Sequence, residues 1–290
     1  MNLKDMDLIE RLRLEKDSHL KGGIYHITQV EMAYNSNKIE GSRLSEKQTA
    51  MIFENGTVPP LEDGTSTKLD DIKEAENHFK CFDFMLDTVN VPLSEDYFKT
   101  VQFILKKGTS DEKYPLKPIG DYKIAPNVIG IGFSEVETTE PEQVAVEIQA
   151  LIKRYEAIPL KSFEDIAAFH VAFEKIHPFA DGNGRAGRLM MFKECLRHNI
   201  TPFVLKDILL SRIERLGEAR RGELLDTLRL EQDMYQVFLD KMSVSSIINK
   251  RTAPNQTNQE LSEEIASAEF QKKECQIATN EYRKIQNYLF

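Results

Sequence analysis

The sequence predicts a mainly α-helical fold with a single β-hairpin, and three observations carry that expectation. Apolar residues recur at helical spacing on both sides of one dense polar stretch, Ile166, Phe169, Phe173 and Ile176 before it and Leu189, Phe192 and Leu196 after it. Helix-start signals recur along the chain: Ser45 with Gln48 at capping-box spacing, Ser94, Pro141 in a first-turn setting, and Ser162. Only residues 120–133 place β-formers on both sides of a turn tripeptide, Ala125-Pro126-Asn127.

Taken in order, a charged helix is expected over about 4–20, ended by Gly22-Gly23. A second helix follows with Ile24, Ile27, Val30 and Tyr34 on one face, and Gly41 stands as its C-terminal cap. Glu40 then lies beside the negative end of the helix dipole, a position unfavourable by roughly 0.3–1 kcal/mol, so a compensating partner is expected. A short helix runs from Ser45 through Met51 and Phe53, and Gly56–Thr67 is a loop. Helices over 69–88 and 94–107 come next; within the first, His78 reads as a structural histidine, because no Cys or second His stands at metal-site spacing. After the polar segment 108–117 and the hairpin, helices begin at Pro141 and Ser162. Further helices over 206–220 and 223–243 are interrupted near Gly217 and Gly222. Thr252–Gln259 is a linker candidate, and the charged remainder reads as a helix packing loosely or against a second copy of the chain. The organisation is thus an N-terminal helical region (1–115), a central core (116–245) and a helical tail (255–290), as one compact unit.

Composition narrows the function. A chain of 290 residues with 41% hydrophobic residues can bury a sizeable core, and a net charge of -9 disfavours sequence-independent nucleic-acid binding. No run of eighteen apolar residues occurs and the first residues are charged, so neither a membrane span nor a signal peptide is expected. Cys81 and Cys195 sit in apolar helical patterns and read as reduced core thiols; with Cys275 they are odd in number and far apart, which suits the cytoplasm.

The dense polar stretch is His177-Pro-Phe-Ala-Asp-Gly-Asn-Gly-Arg-Ala-Gly-Arg188. Gly182 and Gly184 let successive N–H groups turn inward as an anion nest, and the next helix starts there with its positive end facing the same point. Arg185 and Arg188 are three apart, on one helical face, where guanidinium forks can take phosphate oxygens. A carboxylate would repel a polyphosphate, so Asp181 points to Mg²⁺, which accepts one or two carboxylates plus phosphate oxygens. His177, with a reference pKa of about 6.5, can accept a proton at neutral pH. A base, a metal and fixed positive charge are the parts for phosphoryl or nucleotidyl transfer to a hydroxyl.

This stretch resembles the signature H-P-F-x-[DE]-G-N-G-R-x-x-R of the Fic family, with every specified position matched. Phe169-His170 upstream and Ile200-Thr201-Pro202-Phe203 downstream are also similar. The resemblance implies a Fic-like helical core, the hairpin as a flap over the active site, and a protein adenylyltransferase that moves AMP from ATP onto a Ser, Thr or Tyr hydroxyl. It gives His177 the deprotonation of the hydroxyl, Asp181 the Mg²⁺, and Gly182, Asn183 and Gly184 the phosphate cradle. The nucleotide-binding run continues through Arg185, Ala186, Gly187 and Arg188, with Arg185 and Arg188 on the pyrophosphate end and Phe179 anchoring the loop. Leu224 and Leu225 stand where the family lines its adenine pocket, often with tyrosine.

Ser36-x-x-x-Glu40-Gly41 resembles the family's inhibitory motif [ST]-x-x-x-E-[GN]. Its glutamate reaches the second signature arginine, here Arg188, and takes the space of the ATP γ-phosphate. Residues 120–133 are similar to the flap that pairs with a target peptide by main-chain bonds, with Lys123 where arginine is usual. The expected partner is therefore a hydroxyl-bearing protein docked on the flap, self-modification included. Two other readings stand beside this one: removal of AMP, or transfer from another nucleotide donor, at the same site; and a non-catalytic helical adaptor.

Overall fold

Caps and charged side chains set the element boundaries. In a computed structural model, which describes residues 6–58, 66–129, 136–207 and 221–251, the elements follow in the expected order. They are α1 (Leu8–Asp17), α2 (Ile24–Ile39), α3 (Glu46–Asn55), α4 (Leu69–Asp87), α5 (Glu95–Lys106), a 3₁₀ turn (Ser110–Lys113), β1 (Val128–Ile129), β2 (Val136–Glu137), α6 (Pro141–Glu156), α7 (Phe163–Ile176), α8 (Asn183–Arg197) and α9 (Arg221–Arg251). Ser45 and Ser162 each accept from the third backbone N–H of their helix while Gln48 and Asp165 reach back, two reciprocal capping boxes. Pro141 opens α6 at its first turn, where a missing N–H costs nothing.

α2 ends in a Schellman arrangement. Gly41 N–H donates to the Lys38 carbonyl and Ser42 N–H to that of Asn37, both at 3.0 Å, with Gly41 at φ +91°. The chain therefore leaves the helix directly after Glu40. Across the bundle, Arg13 of α1 donates to the Leu86 carbonyl at 2.8 Å, so a cation satisfies an orphan acceptor at the C-terminal end of α4.

One expectation needs correction. The hairpin does not turn at Ala125-Pro126-Asn127: β1 pairs antiparallel with β2, Val128 opposite Glu137 and Ile129 opposite Val136, and the turn between them lies outside the described residues. The stretch around Pro126 bonds instead to the loop between α7 and α8. Lys123 N–H donates to the Pro178 carbonyl at 2.9 Å and the Asn127 amide to that of Phe179 at 3.0 Å. Pro126 itself has no N–H for a ladder. Gly222 is the second residue of α9, and the residues before Arg221, where the interruption is expected, lie outside the described residues. Of the helix expected over 206–220 only Lys206 and Asp207 are described; Gly217, the 252–259 linker, Cys275 and the 255–290 tail lie outside the described residues.

One hydrophobic cluster extends from Leu12 to Tyr235, so the N-terminal helices and the pair α7–α8 share a core. Cys81 and Cys195 are buried free thiols within it. Phe98 of α5 stands with its ring centroid 6.1 Å from Phe169 and 5.5 Å from Phe173, and Phe173 is 6.4 Å from Phe179. This aromatic row supports the α7–α8 loop from beneath. Among the described residues no helix is long and apolar enough to cross a membrane. Phe98→Ala, which empties a fully buried site at the base of the row, is expected to cost about 3–5 kcal/mol. Chemical denaturation should show a lower midpoint at an unchanged slope.

Candidate active site

The loop joining α7 to α8 begins and ends in left-handed backbone. His177 caps α7 at φ +50°, a conformation few non-glycine residues adopt, and its N–H still donates to the Phe173 carbonyl at 3.0 Å. Gly182 caps α8 at φ +86°, where glycine carries no penalty. Between them, Phe179 is fully buried and its backbone is clamped from both sides by one amide. Phe179 N–H donates to Asn183 Oδ1 at 2.9 Å, and Asn183 Nδ2 donates to the Phe179 carbonyl at 2.8 Å. Asn183 is therefore a loop clamp through its side chain and has only its backbone N–H to offer a phosphate. That N–H belongs to the first turn of α8, whose amides have no intrahelical partner.

The two arginines, expected to act as a pair, separate. Arg185 is 2% exposed and points into the protein, 2.7 Å from Glu74 and 3.4 Å from both Asp181 and Asn37. Arg188 turns the other way, to the end of α2: Nε donates to Ser36 Oγ at 2.9 Å, and Nη2 donates to the Ser36 carbonyl at 3.0 Å and to Glu40 Oε1 at 2.6 Å. Ser36, Glu40 and Arg188 are thus brought together, and Glu40 receives the partner that its helix end demanded. Gly184 lies directly beneath. A Cβ there would collide with Glu40 Oε1 and stand 2.9 Å from Arg188 Nη1. Ala186 packs in the core, and a Cβ on Gly187 would stand 2.6 Å from Glu174 Oε1.

Asp181 is held by residues that the sequence did not single out. Lys106 of α5, 3% exposed in its side chain, reaches Asp181 at 2.5 Å, Glu74 at 2.6 Å and Asp111 at 2.8 Å. No spacing pattern links Lys106 to Asp181; only the packing of α5 against the loop does. Burial pushes the Asp181 carboxyl up, but Arg185 and Lys106 outweigh it and hold the group well below the usual carboxylate range. Its side chain remains 36% exposed, so an ionised carboxylate faces the site. One carboxylate with neighbouring phosphate oxygens fits a hard divalent cation. Among the described residues no group of three or more His, Cys, Asp and Glu gathers into a metal site.

His177 Nδ1 lies 3.3 Å from the Glu174 carbonyl, which can only accept, so Nδ1 carries the proton and Nε2 is the basic nitrogen. Burial lowers the imidazole pKa, the Glu174 carbonyl opposes this, and Lys123 pushes it further down. The ring is neutral at pH 7. Lys123 is buried, its Nζ 2.6 Å from both Asn127 Oδ1 and Thr138 Oγ1, so it ties the segment before β1 to the residue after β2. His170 and His78 are driven by burial to about 3. His170 Nδ1 has no hydrogen-bond partner among the described residues. Leu225 lines a groove of about 320 Å³ with Ala167, Ala168, Val171, Ala172 and Lys175, the last two residues before His177 in sequence being Lys175 and Ile176. The Leu224 side chain lies outside the described residues.

Residues 92–195, from the end of the loop before α5 through most of α8, match the family model for the Fic/DOC family. This region is therefore similar to a Fic/DOC domain. The chain's fold is shared with a Fic domain containing signaling protein from Bacteroides thetaiotaomicron at TM-score 0.63 and 20% identity, covering 81% of this chain and 95% of that one. It is also shared with Fic-1 (aa134–508) from C. elegans at TM-score 0.56 and 19% identity, covering 80% and 69%. A Fic family protein from Desulfovibrio desulfuricans aligns at TM-score 0.51 and 20% identity, over 96% of this chain and 71% of that one. No curated protein matches the sequence. The matched region excludes α2, so Ser36 and Glu40 reach it from outside.

Lys106→Met is expected to lower stability by about 3 kcal/mol at pH 7, because Glu74, Asp111 and Asp181 lose the cation they share and keep only Arg185 beside Glu74 and Asp181 and Lys117 beside Asp111. Asp181 is depressed in the native protein, so its contribution is present above the unfolded carboxylate pKa and lost as pH falls through the folded one. Denaturation curves of the two proteins should therefore converge in acid.

Proposed function

We propose that the chain is a protein adenylyltransferase that moves AMP from ATP onto a Ser, Thr or Tyr hydroxyl of a protein and is restrained by its own Glu40. Fic/DOC proteins are typically transferases acting on proteins, often with AMP or another nucleotide. The observation that carries the restraint is the ion pair of Glu40 with Arg188 at 2.6 Å over Gly184. A carboxylate and a phosphate oxygen bind the same guanidinium fork, so the resting carboxylate stands where the tail of a triphosphate would be held.

The reaction follows from the loop geometry. Nε2 of His177 accepts the proton as the hydroxyl oxygen attacks the α-phosphorus; the new P–O bond forms as the bond to the β-phosphate oxygen breaks and pyrophosphate leaves. First-turn N–H groups of α8, at Asn183 and Gly184, meet the phosphate charge, and Arg188 joins them once Glu40 withdraws. Asp181 would hold Mg²⁺, which when bound neutralises phosphate charge. Lys123 and Asn127 fasten the segment leading into β1 to the backbone of Pro178 and Phe179, so a peptide added to β1 by main-chain pairing would lie beside His177. The groove at Leu225 and Lys175 supports seating of the base.

Glu40→Gly should raise self-labelling by ATP carrying a traceable α-phosphate, by on the order of 10-fold or more, while His177→Ala on that background should reduce transfer by at least about 100-fold and leave nucleotide binding intact. Mass spectrometry for an added AMP checks both. Equal labelling of wild type and Glu40→Gly would overturn the restraint, and wild-type transfer by His177→Ala would overturn the base.

A further inference from the structure

We propose that Glu174 is a positioning residue for His177, its carboxyl fixing the imidazole and holding the positive charge that the ring acquires; this rests on His177 acting as the general base. His170, Glu174 and His177 are spaced four and three residues apart, along one face of the end of α7. Glu174 Oε1 stands 3.9 Å from His170 Nδ1, and Oε2 stands 3.9 Å from His177 Nδ1. Although the side chain is 25% exposed, Oε1 is sealed from solvent and has no hydrogen-bond partner among the described residues. The absence of a side chain at Gly187 makes its room, since a Cβ there would press on Oε1 at 2.6 Å. An acceptor buried without a partner beside a catalytic ring is costly if packing is its only task.

Proton transfer supplies a task. When His177 takes the hydroxyl proton on Nε2, the ring becomes a cation whose Nδ1–H faces Glu174, and a small rotation of the carboxylate brings Oε2 into hydrogen-bond range. Burial raises the Glu174 carboxyl to about 7, with Arg188 of α8 opposing and Glu40 at the end of α2 reinforcing. His170, on the other side, stays neutral because burial holds it near 3. Around His177 the charged groups are Lys123, Glu40 and Asp181. A raised carboxyl is neutral below its folded pKa and charged above it, so the form that stabilises an imidazolium is gained as pH rises through about 7.

Glu174→Gln keeps the shape and removes the charge; Glu174→Asp keeps the charge and draws it back. On the Glu40→Gly background, which removes a carboxylate that raises Glu174, kcat of the parent should rise with pH through a limb at or below about 7. The Gln variant should lose that limb and about tenfold or more in kcat with KM for ATP unchanged, and the Asp variant should recover part of the rate. Nitrogen-15 NMR of the His177 ring gives a readout independent of transfer: its shifts should move over the same limb in the parent and not in the Gln variant. A Gln variant with the parent's rate profile and ring titration overturns the proposal. If none of the proteins transfers AMP, the proposed activity fails instead, and the ring titration decides the role of Glu174: lost in the Gln variant supports it, unchanged overturns it.

Discussion

Arg188 joins the N-terminal helices to the region that matches the Fic/DOC family model. It is 6% exposed, and a guanidinium so buried cannot stand without acceptors. The last turn of α2 supplies all three seen here, Ser36 Oγ, the Ser36 carbonyl and Glu40 Oε1. The contact also answers a problem internal to α2, whose negative end would otherwise carry an unpaired carboxylate. Gly41 ends the helix at once, and Gly184 gives the opposing surface no side chain to hold Glu40 away. Two glycines and one arginine thus let an internal carboxylate sit against the start of α8, the place where an anion is favoured by the helix itself.

Positive charge around the loop is divided by permanence. Arg185 and Lys106 are buried among Glu74, Asp111 and Asp181 and hold the loop in shape. Arg188 instead faces a partner carried on a separate helix, with the Glu40 side chain 28% exposed. The first set is scaffold, because removing a member unbalances a buried cluster of charges. In the proposed function the second is exchangeable, another anion replacing Glu40 on the same fork. Asn183 and Phe179 belong with the scaffold: one amide and one buried ring fix the backbone from which His177 and the first turn of α8 project.

Much of this was legible from residues near in sequence. The capping boxes at Ser45 and Ser162, the cap at Gly41 and the apolar faces of α6 to α8 depend on spacings of three to five residues, which a linear reading sees directly. The hairpin was displaced because the segment around Pro126 finds its partners on Pro178 and Phe179, a contact no local pattern announces. The division of labour between Arg185 and Arg188 was hidden for the same reason. They lie three apart on one helix, yet Glu74 and Ser36, which determine their directions, come from α4 and α2. Lys106 carried no signal in the sequence, since a lysine at a helix C-terminus is ordinarily a solvated one.

The central claim is that Glu40 and the tail of a triphosphate compete for Arg188, and calorimetric titration with ATP and with AMP, in Mg²⁺, tests it most directly. Replacing Glu40 by glycine should tighten ATP by at least about tenfold, equivalent to about 1.4 kcal/mol, and leave AMP, which has no β- or γ-phosphate, unchanged. Equal ATP affinities in the two proteins, or a gain shared equally by AMP, would contradict it.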